Sequence, residues 1–151
     1  MILLDTNVPI YAFDAESPFC RWARDSIVDA VSSAGAAISA VSLAEICVGD
    51  RDPSTVADRV RRWGVEILDV PVAAADVCAA AYRKYRKRRF AQSGAKAPAM
   101  PLPDFFIGAH AEVLNWELAT ADGRRFRAYF PSVVLRTPPG EPSTALSSDR
   151  R

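Results

Sequence analysis

The chain has one histidine, three cysteines and two methionines in 151 residues, and these scarcities remove several kinds of chemistry at once. A single histidine, His110, cannot build a histidine-based metal site. In the apolar setting IGAHAEVL it is expected to be a packed core residue. With no Cys–His pairing and no G-x-S-x-G, nothing supports a nucleophilic triad. G-x-x-x-x-G-K-[ST] and G-x-G-x-x-G are absent too, which excludes the common phosphate-cradling loops. Cys20, Cys47 and Cys78 are odd in number, widely spaced and form no C-x-x-C pair. They read as reduced thiols of a cytoplasmic protein rather than as a disulfide framework. Long hydrophobic runs are missing as well. The first apolar run is cut at Asp5 and has no basic leader before it, so neither a signal peptide nor a membrane span is expected. The net charge is only +1, and the molecule as a whole is therefore no obvious polyanion binder.

What is present is the composition of one globular domain. Half of the residues are hydrophobic and a quarter charged, over a length sufficient for a real core. Strand-like and helix-like segments alternate. MILLD reads as a buried strand, and Ser17-Pro18 as a cap-and-proline start of a helix through about Ser33. AAISA (36–40) is a second strand, followed by a helix from about Ser42. Asp52-Pro53 opens a helix to Trp63, which Gly64 stops, and VEILDV (65–70) is a third strand. A long helix is expected from Pro71 to about Phe90, then a proline-rich loop AQSGAKAPAMPLP. DFFIGAHAEVLN (104–115) reads as a helix, ELATAD (117–122) as a strand, GRRFRAY as a short helix and SVVLR (132–136) as the last strand. The Pro/Ser-rich stretch from Thr137 onward reads as a disordered tail. Alternation of this kind predicts a parallel sheet with helices on both faces, and ligands that bind beyond the carboxyl ends of its strands.

Four acids fall at that edge. Asp5 ends the first strand, Glu45 lies in the first turn after the second, Asp104 opens a helix, and Asp122 ends the fourth strand. Each has a local alternative. Ser42-Leu43-Ala44-Glu45 matches a capping box, and Asp104 and Asp122 each stand where an N-cap is favoured. Asp5 has the weakest alternative, because a buried strand end is a costly place for an unpaired charge. Together, four carboxylates in one cleft would raise one another's pKa unless a cation held them. An oxygen-only set of this kind suits Mg²⁺, with Mn²⁺ as a substitute.

The segments LLDTNVPIYAF, SAVSLAEICVG, PDFFIGAHA and LATADGRRFRAYFPSVVL resemble, in order and spacing, the four motifs of PIN-domain nucleases, in particular those of VapC-type toxins. The resemblance covers residues 1–136. It implies a PIN-like three-layer α/β/α domain with a central parallel sheet of about five short strands. It further implies Asp5, Glu45, Asp104 and Asp122 as an acidic quartet supported by Thr6, Asn7 and Thr120. The implied activity is Mg²⁺-dependent cleavage of RNA, with a cognate antitoxin as inhibitor and a homodimer as the assembly. Asp5, Asp104 and Asp122 would hold one or two ions. Glu45 would orient water or complete the metal shell. The proline-rich loop before Asp104, and Phe105 and Phe106 after it, depart from the usual pattern.

The stretch RKYRKRR holds Arg83, Lys84, Arg86, Lys87, Arg88 and Arg89. Such a run is either a solvated helix surface or an electrostatic grip on RNA, with Tyr82 and Tyr85 available for stacking. Trp22, Trp63 and Trp116 read as core or interface aromatics rather than base platforms. Two further acidic-rim folds compete with the nuclease reading. A haloacid-dehalogenase-like phosphatase needs a second Asp where Asn7 stands. A receiver domain needs an acid where Thr6 stands and a Lys where Arg136 stands. An RNA-binding or RNA-processing module of the same fold, without a toxin role, is the third alternative.

Overall fold

The first strand dictates the architecture. β1 (Ile2–Leu4) is buried at every position. Ile2 and Leu4 contribute to one apolar cluster and Leu3 to another. Since alternate side chains of a strand point to opposite faces, such a strand needs a helical layer on each side. The computed structural model, which describes residues 1–140, has that arrangement. β1 is joined by β2 (Ala36–Ser39), β3 (Val65–Leu68), β4 (Glu117–Ala119) and β5 (Leu135–Arg136) in the order β3-β2-β1-β4-β5. All four pairings are parallel.

One face carries α1 (Asn7–Phe13), α2 (Cys20–Ser33), α3 (Ala40–Gly49) and α4 (Pro53–Arg62), which bury Val8, Ile27, Ile46, Val56 and Val60 against Ile2, Leu4 and Ile38. The other carries α5 (Ala74–Ser93), α6 (Pro103–Leu114) and α7 (Gly123–Tyr129), with Tyr82, Phe105, Phe126 and Phe130 packed over Leu3 and Leu118. Trp22 and Trp63 pack against the first cluster and Trp116 against the second, as core aromatics do. His110 is fully buried without a partner for either ring nitrogen, and burial pushes its pKa down, so it sits in the core as a neutral ring. Cys20 and Cys78 are buried and Cys47 half-buried, all as free thiols. Among the described residues no helix is long and apolar enough to cross a membrane.

Several element ends differ from the sequence expectation, each for a local reason. α3 begins at Ala40 rather than Ser42, because Ser39 is its cap and accepts a bond from the Val41 N–H at 3.2 Å. β4 stops at Ala119 rather than at Asp122, because Thr120 Oγ1 accepts the Asp122 N–H at 3.1 Å and bends the chain into α7. α5 starts at Ala74, three residues after Pro71, and runs past Phe90 to Ser93. Of the expected tail, Thr137 accepts a bond from Arg127 Nη2 at 3.4 Å and Pro138 is buried; residues 141–151 lie outside the described residues.

α6 crosses the second cluster at close range. A Cβ on Gly108 would stand 2.3 Å from Cε2 of Phe130, a ring that is itself 1% exposed and ringed by Phe105 and Phe126. Gly108→Ala should therefore lower the unfolding free energy by about 1–3 kcal/mol, a typical overpacking cost. Chemical denaturation would measure it, and an unchanged midpoint would show that Phe130 can move aside.

Candidate active site

The sheet order places β1 between β2 and β4, where the direction of winding reverses, and crevices at such points are the usual ligand sites of open parallel sheets. Leu4 is in register with both Ile38 and Ala119, so the next residues of β1 and β4, Asp5 and Thr120, emerge side by side. Asp5 is only 4% exposed and Thr120 is fully buried.

Three donors converge on the Asp5 carboxylate. The Thr6 N–H donates to Oδ1 at 2.8 Å. Asn7 Nδ2 and Thr120 Oγ1 donate to Oδ2 at 2.6 and 2.7 Å. Asn7 is held in turn by the Ala121 N–H, which donates to its Oδ1 at 3.0 Å. Thr120 Oγ1 already accepts from Asn7 Nδ2 (3.3 Å) and from the Asp122 N–H, so its own proton is directed to Asp5. This network is built for an ionised carboxylate, yet burial opposes the charge more strongly than the donors favour it. The negative charges of Asp104 and Glu45 act in the same direction as burial, and Asp5 is raised to about 7.

Glu45 is half-buried on α3 and takes no part in a capping box. Its Oε2 accepts from Thr6 Oγ1 at 2.6 Å rather than from the Ser42 backbone N–H of a capping box, and the Ser42 hydroxyl lies buried and unpartnered inside the helix. The cause is the earlier start of α3, which moves Ser42 into the first turn and turns Glu45 toward the end of β1. Asp104 occupies the first turn of α6, where the helix dipole favours a carboxylate, and forms an ion pair with Arg125 of α7. Asp122 is the N-cap residue of α7 without a side-chain cap bond. It is exposed, and it is not among the charges that act on Asp5. The fold thus brings Glu45 and Asp104 near the buried Asp5 carboxylate and leaves Asp122 on the outer lip, tied in through its backbone and Thr120.

Among the described residues no three acidic, histidine or cysteine side chains stand close enough to share one ion. The donor set fits a hard divalent cation in chemistry: all ligands are oxygen, and Asp5 carries a charge whose burial nothing inside the chain fully offsets. Arg125 occupies the Asp104 carboxylate that an ion would need. Sequence reading did not find this arginine. Its one local signal is the spacing Asp122-Gly123-Arg124-Arg125, which sets Arg125 one helical turn after the lip acid.

A PIN-domain family profile matches residues 2–130, most of the chain. The chain belongs to the PIN domain family. PIN domains are in general nucleases that use divalent metals, and the phosphatase and receiver alternatives fall with that assignment. Solved structures with the same fold include a toxin–antitoxin complex from Klebsiella pneumoniae, with 25% identity, 89% of this chain and 96% of that chain covered, and a TM-score of 0.59. VapBC2 from Rickettsia felis, bound to a promoter DNA fragment, shares 22% identity over 91% of this chain and 98% of that one, with a TM-score of 0.60. FitAcB from Neisseria gonorrhoeae shares 23% over 89% and 96%, with a TM-score of 0.59. Among curated proteins none matches.

In this PIN domain the basic stretch lies on the C-terminal half of α5, and all six of its cations are exposed. The two tyrosines do not serve as stacking platforms. Tyr82 is 3% exposed and donates its hydroxyl to the Pro98 carbonyl at 2.8 Å. Tyr85 packs against Tyr82 and Phe105 and accepts a bond from Arg89 Nη1 at 2.8 Å. Their i, i+3 spacing puts both on the stripe of α5 that faces α6, and burial of two rings there outweighs keeping them in water.

Proposed function

We propose that this PIN domain is a metal-dependent endoribonuclease and acts as the toxin of a toxin–antitoxin pair. What carries the proposal is Asp5: a buried carboxylate at the crevice of the sheet, held by three donors and repelled by two further acids. A buried carboxylate whose charge is disfavoured by burial and by two neighbouring acids is suited to a cation, which would restore that charge. Asp5, Asp104 and Asp122 would hold Mg²⁺, or Mn²⁺ in its place. Bound there, the ion would make a water more acidic and offset charge on the phosphodiester.

The chain's own side chains do the rest. Asn7 and Thr120 fix the Asp5 carboxylate, so its oxygens present one direction to the crevice. Thr6 fixes Glu45 through Oε2, which leaves Oε1 to orient the attacking water and take its proton. From the exposed basic stretch of α5, Arg83, Arg86 and Lys87 would draw in RNA.

The toxin part of the proposal is supported by the likeness to toxin–antitoxin assemblies, above all the complex at 25% identity. A cognate antitoxin and a second copy of this chain are the proposed partners. A protein partner is also supported by a largely apolar groove of about 500 Å³ lined by Arg24, Ile27, Val28, Val31, Ser32 and Trp63. The proposed setting is the cytoplasm, where an RNA substrate is available. Which class of RNA is cut is a matter for the 5′ ends produced in cells.

One experiment tests the activity. The purified full chain should cut a generic RNA in Mg²⁺ or Mn²⁺, lose that activity in excess EDTA, and regain it when either ion is returned. Undiminished cutting in EDTA would exclude the metal. No cutting under any of these conditions would leave a binding module of the same fold as the better account.

A further inference from the structure

The structure sorts the basic stretch of α5 into two groups that its sequence does not distinguish. Arg83, Arg86 and Lys87 line a groove of about 510 Å³ together with Phe90, Lys96 and Ala97. Positions 83, 86, 87 and 90 are spaced i, i+3, i+4 and i+7, so they form one stripe along the helix, about 10 Å long. Lys84 and Arg88 lie off that stripe, and Arg89 is engaged with Tyr85.

The opposite wall exists because α5 ends in a turn that folds the chain back. Gly94 adopts φ 66°, the left-handed conformation that closes many helices, and its N–H donates to the Phe90 carbonyl at 2.8 Å. The returning segment is then fixed: Ala97 packs against the core and Pro98 accepts the hydroxyl of buried Tyr82. Lys96 is thereby set across from Arg83 and Lys87.

Two features of this groove suit a polyanion with open bases. Arg59, Arg125 and Arg136 each have a carboxylate partner, whereas among the described residues Arg83, Arg86, Lys87 and Lys96 have none. At the end of this row of free cations stands an aromatic ring, Phe90, 60% exposed. Cations alone would suit any polyanion. A cation row that ends in an open ring matches a strand whose phosphates and bases are both accessible.

We propose that Arg83, Arg86, Lys87, Lys96 and Phe90 form a binding site for unpaired RNA, the cations holding phosphates and Phe90 stacking on a base. The site is separate from the acidic crevice, though joined to it: Tyr85 of α5 packs on Phe105, the neighbour of Asp104. This proposal rests on RNA being the substrate. What it adds is the contact made by this groove itself: bases inside a duplex cannot reach the ring, so the groove should hold a single strand more tightly than a duplex of equal length.

The test uses the full chain in EDTA, so that binding is read without cleavage, with a fluorescein-labelled oligouridylate and a labelled RNA duplex of equal length. Two double variants remove the same charges, one Arg and one Lys at i, i+4. Arg83→Ala/Lys87→Ala should weaken oligouridylate binding about tenfold and flatten its salt slope by about 1.4, two phosphate contacts at about 0.7 each. Lys84→Ala/Arg88→Ala should change binding by no more than about twofold. Phe90→Ala should weaken the single strand by about tenfold at an unchanged salt slope, Phe90→Trp should keep the affinity, and the duplex should bind more weakly throughout. Equal losses from the two charge pairs, a silent Phe90→Ala, or a duplex bound as tightly as the single strand would each overturn the proposal. Binding of this pattern without cleavage after Mg²⁺ is returned would count against the nuclease alone. Cleavage with unaltered binding in Arg83→Ala/Lys87→Ala would count against the groove alone.

Discussion

Asp5→Asn should reduce RNA cleavage at least about 100-fold, beyond the usual loss for a residue that only supports a metal ligand. The same substitution should also change how stability depends on pH. The folded-state pKa of Asp5, raised to about 7, lies above the unfolded value near 3.8. Between these two values the folded chain binds more protons than the unfolded chain, so Asp5 makes stability fall as pH rises from about 4 to about 7. The fall attributable to this group is on the order of 4 kcal/mol in the absence of a cation. The variant lacks it. A difference curve of unfolding free energy, wild type against Asp5→Asn in EDTA, isolates this contribution from all other titrations. Absolute stability should rise by less than the full amount, because the new amide nitrogen would face two donors, Asn7 Nδ2 and Thr120 Oγ1. Mn²⁺ should raise the melting temperature of the wild type more at pH 8 than at pH 5, and leave that of the variant unmoved. A folded and fully active Asp5→Asn protein would remove Asp5 from the site.

Arg125→Ala should tighten the binding of Mn²⁺ on the order of tenfold. The guanidinium and a divalent cation compete for the Asp104 carboxylate, and a unit charge about 4 Å from a carboxylate at a protein rim is worth between about 1 and 4 kcal/mol. Loss of the pair itself should cost stability less than about 1 kcal/mol, since its two side chains are 37% and 31% exposed. Calorimetric titration with Mn²⁺ reads the affinity directly, without any turnover. Arg124→Ala is the matched control: it removes the same charge from an exposed neighbour on α7 and should shift the affinity by less than about twofold. If both variants act alike, Arg125 acts through net charge only. If neither acts, Asp104 is not a ligand.

Much of this protein is written in short-range patterns. Buried alternation at Ile2, Leu3 and Leu4 demands helices on both faces, and the order of strand-like and helix-like segments then gives a parallel sheet whose carboxyl edge receives Asp5 and Thr120. Asp52-Pro53 opens α4 as its local signal predicts, whereas Ser17-Pro18 stands ahead of α2, which starts at Cys20, and Ser39 rather than Ser42 caps α3. The pairings that give the site its properties are of another kind. Glu45 is held by Thr6 across 39 positions, Asp104 by Arg125 across 21, and Asp5 by Thr120 across 115. Likewise, RKYRKRR states how many cations α5 carries, but only its rotation against α6 buries the tyrosines and leaves Arg83, Arg86 and Lys87 in a groove with Phe90 and Lys96. Periodicity and capping depend on residues within one turn or one strand, and these a sequence displays directly. The contacts between segments depend on register and on which stripe of a helix meets its neighbour, and both are set by the packing of the whole core.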